Sequence, residues 1–356
     1  MRQEAHLQTF SLILKTRSPL FIGSGKRDTK KEYLFDSRKN EVAFLDEGKF
    51  FAYLAERGLA DAYESYIVRG TSRDLRDFLT NVCRVTAQEL EAMVRVRIHA
   101  ADALDDGHTL KEVYRFVRNG RGEVYVPGSS VKGALRTALL KSRILEDPDP
   151  GTDAYAPFEE KYFHTLNLKR DKYGQQDRKN PLNSILRGVC ISDSAPIADK
   201  HLCLTTKIDE FLDGYSNSIN FCRESIRPGV ELHCTITLDQ SILQGRLTKE
   251  DIERAIGRAS AHYQDTVLRR YPQAVNCMNS RTILMGGGVG FQSKTIQEAV
   301  CPEQALKLTA GILDRAFSKH EHRLRDPEEG ISPRALKQTA YHGAAYPYGV
   351  CEVYIR

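Results

Sequence analysis

The sequence predicts an α+β fold, two ferredoxin-like units in tandem, with a helical insertion and a long loop. Three observations predict it. Strand, helix and strand with intervening hairpins recur in both halves of the 356-residue chain. Val230-Glu-Leu-His-Cys-Thr-Ile-Thr-Leu238 alternates apolar and polar at every step, as a half-buried strand does. Tyr125-Val-Pro-Gly-Ser-Ser-Val-Lys-Gly-Ala-Leu-Arg136 reads as strand, Pro-Gly turn and helix start.

Taken in order, Thr9–Lys15 is the opening strand, continuing through Pro19 to a Gly23-Ser24-Gly25 turn. Glu32–Phe35 and Val42–Leu45 form a hairpin across Asp36–Glu41. Asp46-Glu-Gly opens a short helix through Phe50, Phe51 and Leu54. Residues 57–118 are helical in pattern, with Leu75, Phe78, Leu79 and Val82 on one face and a Thr86–Glu89 capping box ahead of Leu90.

In the central stretch Ser129 or Ser130 is the expected N-cap of a helix over 129–143, with Val131, Leu135, Ala138 and Leu139 apolar. Its first turn offers free N–H groups to an anion. Lys132 and Arg136 are four apart and share one face, turned to such an anion or to solvent. Gly133 costs roughly 1 kcal/mol against Ala inside a helix. That cost predicts a close approach there, by a phosphate chain or by another strand.

Residues 147–183 are polar and aperiodic, with Lys169, Arg170, Lys172, Arg178 and Lys179 against Asp171 and Asp177, and predict a long mobile loop. Short strands follow at Arg187–Asp193 and Leu202–Ile208. Thr248–Asp251 caps a helix through Ile252, Ile256, Ala259 and Tyr263. Ile283-Leu-Met leads into a glycine loop ending at Lys294, Pro302 starts another helix through Leu306, Leu313 and Phe317, and a last strand lies near Val350–Ile355.

Composition limits the function. Net charge is +5 with pI 8.7, which permits a polyanion partner. No apolar run approaches about 18 residues, so no membrane span is expected. The polar start Met-Arg-Gln-Glu-Ala-His is not a signal peptide. The eight cysteines, at 83, 190, 203, 222, 234, 277, 301 and 351, form no Cys-x-x-Cys pair. They are expected to be reduced, buried and cytoplasmic, with no zinc site. His320-Glu-His322 reads as a polar helix end rather than a metal site, and no cofactor is expected.

Three glycine or serine turns carry basic neighbours. They are Gly23-Ser24-Gly25 with Lys26 and Arg27, Gly128-Ser129-Ser130 with Lys132, Gly133 and Arg136, and Gly286-Gly287-Gly288-Val-Gly290 with Lys294. The first is no P-loop, because Leu20 stands at the first glycine position and Arg27 at the Ser/Thr position. The last fails the dinucleotide pattern at Phe291. Such turns suit a long polyphosphate track, or serve only as tight turns.

In this order, Pro19-Leu-Phe-Ile-Gly-Ser-Gly25, Val126-Pro-Gly-Ser-Ser-Val-Lys-Gly-Ala-Leu-Arg136, Ile191-Ser-Asp-Ser194, Glu224-Ser-Ile-Arg-Pro-Gly-Val-Glu-Leu232 and Leu284-Met-Gly-Gly-Gly-Val-Gly-Phe-Gln-Ser-Lys294 resemble the RAMP superfamily of CRISPR-associated proteins. The helical insertion, the Gly-x-Gly-Phe-x-Ser-Lys loop and the Tyr-Pro-Tyr-Gly-Val-Cys tail are most similar to the head-capping subunits of type III-A Csm effector complexes. The resemblance implies two RRM-like ferredoxin domains. The division expected is 1–225, with the insertion at 57–118 and the loop at 147–183, and 226–356.

It also implies binding of the CRISPR RNA at its 3′ part. The protein partners implied are a backbone RAMP subunit, a small helical subunit and recruited trimming nucleases, with target RNA in the same complex. Roles in assembly and guide 3′ maturation during antiviral defence follow. The sixteen glycine-loop residues named above are then the RNA-binding set, gripping phosphates without reading bases.

Catalysis is not expected. Asp28 and Asp36 read as solvent-facing turn residues, and His6, His99 and His108 lack obvious partners. Ser129 and Ser130 have no neighbouring base. The alternative is a RAMP endoribonuclease, either a target-cleaving backbone type or a guide-processing type.

Overall fold

The computed structural model describes residues 6–104, 111–151 and 157–356. Among them, fourteen strands follow in chain order: β1 (Leu7–Thr16), β2 (Gly23–Asp28), β3 (Tyr33–Asp36), β4 (Glu41–Leu45), β5 (Val94–His99), β6 (Glu112–Phe116), β7 (Val189–Ile191), β8 (Leu202–Glu210), β9 (Ser216–Ile226), β10 (Glu231–Asp239), β11 (Thr282–Leu284), β12 (Leu336–Tyr341), β13 (Ala344–Pro347) and β14 (Val350–Ile355).

The first sheet has the order β11-β14-β1-β10-β7 and is antiparallel throughout. Its centre is the alternating strand expected from the sequence. Leu232, Cys234, Ile236 and Leu238 of β10 are all buried, and Leu12 and Leu14 of β1 pair with Cys234 and Leu232. The helices Gly128–Glu146 and Lys249–Thr266 pack on this sheet and on each other. Strand β1, the first helix, β7, β10, the second helix and β14 make a split βαβ unit repeated once, which is the ferredoxin-like arrangement, with β14 beside β1 and β11 added at the outer edge. Thr248 and Asp251 form the expected capping box on the second helix.

The second sheet runs β2-β6-β9-β8-β5-β4-β3, with the β12–β13 hairpin joined to β8. Both sheets draw strands from either side of residue 225, so a division there follows chain order rather than the sheets. Strand β9 is not signalled by the sequence. Its first half, Ser-Asn-Ser-Ile-Asn, has low β propensity. It is held by antiparallel pairing with β8 and parallel pairing with β6. The β12–β13 hairpin likewise lies in the stretch whose local pattern predicts only a tail.

The helical insertion is shorter than 57–118. Its helices Ala60–Arg69 and Ala87–Met93 bury Tyr66 and Met93 with Phe50, Leu54, Leu75, Phe78 and Leu79 against Leu34, Ala43 and Leu45 of the β3–β4 hairpin. The Thr86–Glu89 capping box is present. Val82 is 42% exposed, off the buried face. From Val94 the chain returns to strand in β5 and β6, and residues 105–110, including His108, lie outside the described residues.

The expected loop at 147–183 also changes in character. Residues 152–156 lie outside the described residues, but 157–183 fold on Asn183, which is fully buried. Its Oδ1 accepts from the Leu168 and Lys169 amides at 2.8 and 2.9 Å, and its Nδ2 donates to the Lys169 and Asp177 carbonyls at 2.8 and 2.7 Å. All four hydrogen-bonding positions of the amide are filled. Of the cysteines, Cys83, Cys203, Cys222, Cys234 and Cys351 are buried, whereas Cys190 is exposed.

Candidate nucleic-acid interface

The three glycine loops meet at one cleft of about 380 Å³. Gly23, Ser130, Gly133, Gly286, Gly287 and Lys294 line it, with Ile22, Ala134, Thr137, Leu284, Met285 and Ser293. Residues from the two ends and the middle of the chain converge because the loop 286–290 lies along the segment 19–23. The Gly287 amide donates to the Phe21 carbonyl, and Gly349 N–H to that of Pro19. A Cβ on Gly286 would sit 2.4 Å from the Phe21 carbonyl oxygen, and its φ of +88° also favours glycine.

Gly288 makes room for a side chain. A Cβ there would lie 2.3 Å from Arg223 Nη1. The Arg223 guanidinium sits about the rings of Phe21, Phe221 and Tyr348, at 5.1, 5.2 and 5.0 Å from their centroids. Gly290, at φ +90°, precedes the short helix Phe291–Lys294 and abuts Lys337. Lys294 is exposed at the cleft. Partial burial, and then the Arg223 charge, lower its pKa. Neither Lys294 nor Arg223 forms an ion pair with a described residue, so the cleft keeps an uncompensated positive end.

The helix start differs from the expected anion site. Pro127, not a serine, is the N-cap, and the helix begins at Gly128. The Gly128 amide is held by Asp193 Oδ1 at 2.8 Å, and Val126 N–H by Ser194 Oγ at 2.9 Å. The Ile191–Ser194 motif thus supplies its own carboxylate to the helix N-terminus. Gly128 is required because a Cβ would meet the carbonyl oxygens of Ile191 and Ser192 at 2.2 and 2.6 Å. Ser129 is exposed and Ser130 half-buried.

Lys132 and Arg136 do not face the cleft. At about 100° per residue, Ser130, Gly133, Ala134 and Thr137 share an arc of about 100°. Lys132 and Arg136 lie more than about 100° round from its middle. Lys132 Nζ donates to the carbonyls of Leu186 and Val189 at 2.8 and 2.7 Å, and burial lowers its pKa. Arg136 makes a bidentate ion pair with Glu159. A Cβ on Gly133 would meet no atom within 4 Å, so no strand approaches it and its face is open to the cleft.

The Gly23–Gly25 turn is an edge strand. Strand β2 pairs with β6 through an irregular register between Gly23 and Arg27. Ser24 Oγ donates to the Arg115 carbonyl and accepts from Lys26 N–H, while Gly25 takes φ +82°. Lys26 is exposed and makes no ion pair with a described residue. Arg27 pairs with Glu112 at 2.9 Å on the surface.

Asp28 is not solvent-facing. It is 3% exposed and held by a bidentate ion pair with Arg115. Asp36 does serve the hairpin turn, accepting from the Arg38 and Lys39 amides. His6 is exposed, and His99 Nδ1 accepts from the Ala101 amide. His322 Nδ1 contacts buried Asp326 in the helix His322–Glu329. Among the described residues, no group of three or more His, Cys, Asp or Glu side chains could hold a metal ion. No helix among them is long and apolar enough to cross a membrane.

Ala134, Thr137 and Ser293 also line the cleft, although the motifs do not single them out. Ala134 lies four residues beyond Ser130 and Thr137 four beyond Gly133, each on the same helix face as its partner. Arg223 carries no local signal, because its role depends on Gly288 from the far end of the chain.

Residues 13–315 match the family described as the RAMP superfamily. A Streptococcus thermophilus protein named "CRISPR system Cms protein Csm5" is 28% identical over 330 residues, covering 88% of this chain and 84% of that protein. A Mycobacterium tuberculosis protein of the same name is 25% identical over 381 residues, covering 99% and 98%. An Enterococcus italicus protein, again so named, is 28% identical over 382 residues, covering 97% and 96%. A chain in a cryo-EM structure of a type III-A Csm–crRNA–target RNA ternary complex superposes with a TM-score of 0.64 at 16% identity, over 97% of this chain and 100% of that one. The crystal structure of T. onnurineus Csm5 gives 0.62 at 16% identity, over 96% and 99%. At these identities the two structures speak to the fold alone.

Proposed function

This chain belongs to the RAMP superfamily, and on that premise we propose that it is the Csm5-type subunit of a type III-A CRISPR effector complex, a non-catalytic subunit that grips the CRISPR RNA backbone. The observation that carries the reading is the convergence of Gly23, Ser130, Gly133, Gly286, Gly287 and Lys294 on one open cleft with no described acid paired to its lysine. Glycine turns let backbone amides approach phosphates, and an unpaired ammonium neutralises them. Neither contact reads a base, as guides of varied sequence require.

The similarity to Csm5 proteins extends the proposal. The subunit caps the complex at the 3′ part of the guide and supports assembly and guide 3′ maturation by recruited trimming nucleases. It packs on the backbone RAMP subunit and the small helical subunit, contacts target RNA, and works in the cytoplasm. The endoribonuclease alternative would need an accessible acid or base. Asp28, its best candidate, is buried and neutralised by Arg115.

The test incubates the purified chain with guide and target RNA, with and without Mg²⁺. Both RNAs remain intact if the proposal holds. Cleavage abolished by Asp28→Ala in a folded variant overturns it. In parallel, Lys294→Ala weakens binding to unrelated RNA sequences about equally, and a strongly sequence-selective loss counts against backbone gripping.

A further inference from the structure

We propose that residues 163–183 form a second single-strand nucleic-acid contact, a basic finger projecting from the side of the helix Gly128–Glu146 away from the cleft. Its base is fixed by the two cations whose spacing on that helix suggested a phosphate site. Lys132 holds the carbonyls of Leu186 and Val189 just beyond the finger, and Arg136 holds Glu159 just before it.

The finger is internally bonded rather than open. Asn183 clamps residues 168, 169 and 177 through its side-chain amide. Gln176 Nε2 donates to the His164 and Leu166 carbonyls at 2.9 and 2.7 Å, and Arg170 and Gln176 form an isolated antiparallel bridge. A preformed loop loses less conformational entropy on meeting a ligand than a flexible one.

What it presents is positive and partly apolar. Lys169, Arg170, Lys172, Arg178 and Lys179 are all exposed, and none makes an ion pair with a described residue. The two acids within the finger are occupied by its own turns. Asp171 Oδ1 accepts from the Tyr173 and Gln175 amides at 2.9 Å each, and Asp177 Oδ1 from that of Lys179 at 3.2 Å. Tyr173 stands at the tip, 75% exposed, with Lys172 Nζ 4.9 Å from its ring centroid.

Cations alternating with an exposed aromatic ring match a strand that offers both phosphates and base faces. An acidic protein surface would satisfy the charges but leave the ring without a stacking partner. Single-stranded RNA is therefore the ligand class. The inference does not rest on the cleft, because its residues share none of the cleft's lining.

The experiment measures binding of a labelled, mixed-sequence single-stranded RNA to the full-length chain across a salt series. Replacing the five cations by Ala weakens binding about tenfold or more and flattens the salt slope by up to about 3.5, at roughly 0.7 per lost single-strand phosphate contact. Tyr173→Ala weakens binding with the slope unchanged. Asn183→Ala keeps every charge and weakens binding by loosening the finger. The exposed substitutions leave the fold intact, so they remain decisive even if Asn183→Ala unfolds the chain.

Unchanged affinity and slope in the five-fold variant overturn the proposal. So does a variant that binds RNA normally but fails to join other protein subunits, since the finger would then dock a protein. Lys294→Ala separates the two sites. If it is silent while the finger variants lose binding, the cleft reading fails and the finger stands; the opposite pattern removes the finger.

Discussion

Asp193 Oδ1 accepts the Gly128 amide at 2.8 Å, so the start of the central helix carries a carboxylate delivered by the end of β7. A helix N-terminus that already holds a protein carboxylate has less to offer a phosphate. Asp193→Ala is expected to lower stability by about 1–2 kcal/mol, through loss of both the capping bond and the dipole interaction. Asp193→Asn, which keeps an acceptor, loses less. Urea midpoints of the full chain check the order.

The two glycines of this helix separate by location. Gly128→Ala forces a methyl into the Ile191 and Ser192 carbonyls and costs about 1–3 kcal/mol or more. Gly133→Ala meets no atom and gains up to about 1 kcal/mol from helix propensity. Equal effects at the two positions in thermal unfolding would contradict this placement.

Lys132→Met strands the Leu186 and Val189 carbonyls and costs about 1–3 kcal/mol of stability. Lys294→Ala, at the exposed end of the cleft, leaves stability within about 0.5 kcal/mol and reduces the salt slope of RNA binding by about 0.7. Denaturation and binding measured on the same two variants distinguish a structural lysine from a ligand-facing one.

Asp28→Ala leaves the half-buried Arg115 guanidinium with only its longer contact, 3.8 Å, to the exposed Glu47 carboxylate. A loss of about 1–3 kcal/mol is expected. A variant of wild-type stability would show that the pair is not desolvated.

His262 supplies a pH dependence. Burial, and next the neighbouring Lys141 charge, push its pKa down from 6.5 to about 4. The folded protein therefore binds fewer protons at this site than the unfolded chain between those values. Stability from this group is complete above pH 6.5 and is lost as pH falls through about 4. His262→Gln should blunt the fall in the urea midpoint over that interval, while leaving the midpoint well above it nearly unchanged.

Much of the architecture is legible locally. The alternation at 230–238, the Thr86–Glu89 and Thr248–Asp251 capping boxes and the β3–β4 hairpin depend on neighbours within a few residues, and each forms as its residues predict. Strand β9 is not legible in this way. Its pairing partners come from residues 112–116 and 202–210, and without them Ser-Asn-Ser-Ile-Asn resembles a turn.

The site divides along the same line. By itself the sequence determined that glycine-rich turns, a strand–turn–helix and basic residues recur along a RAMP-like chain. It also determined that Gly133 needed a reason. Tertiary structure alone decided which of these features meet. Folding brought residues 23, 133 and 286 from a strand, a helix and a loop to one cleft, turned Lys132 and Arg136 to the opposite side of their helix, and buried Asp28 against Arg115. The reason is physical: a cation is committed by whichever carbonyl or carboxylate the fold places nearest. For Lys132 those carbonyls belong to residues more than fifty positions away, whereas no described acid is paired with Lys294 at all.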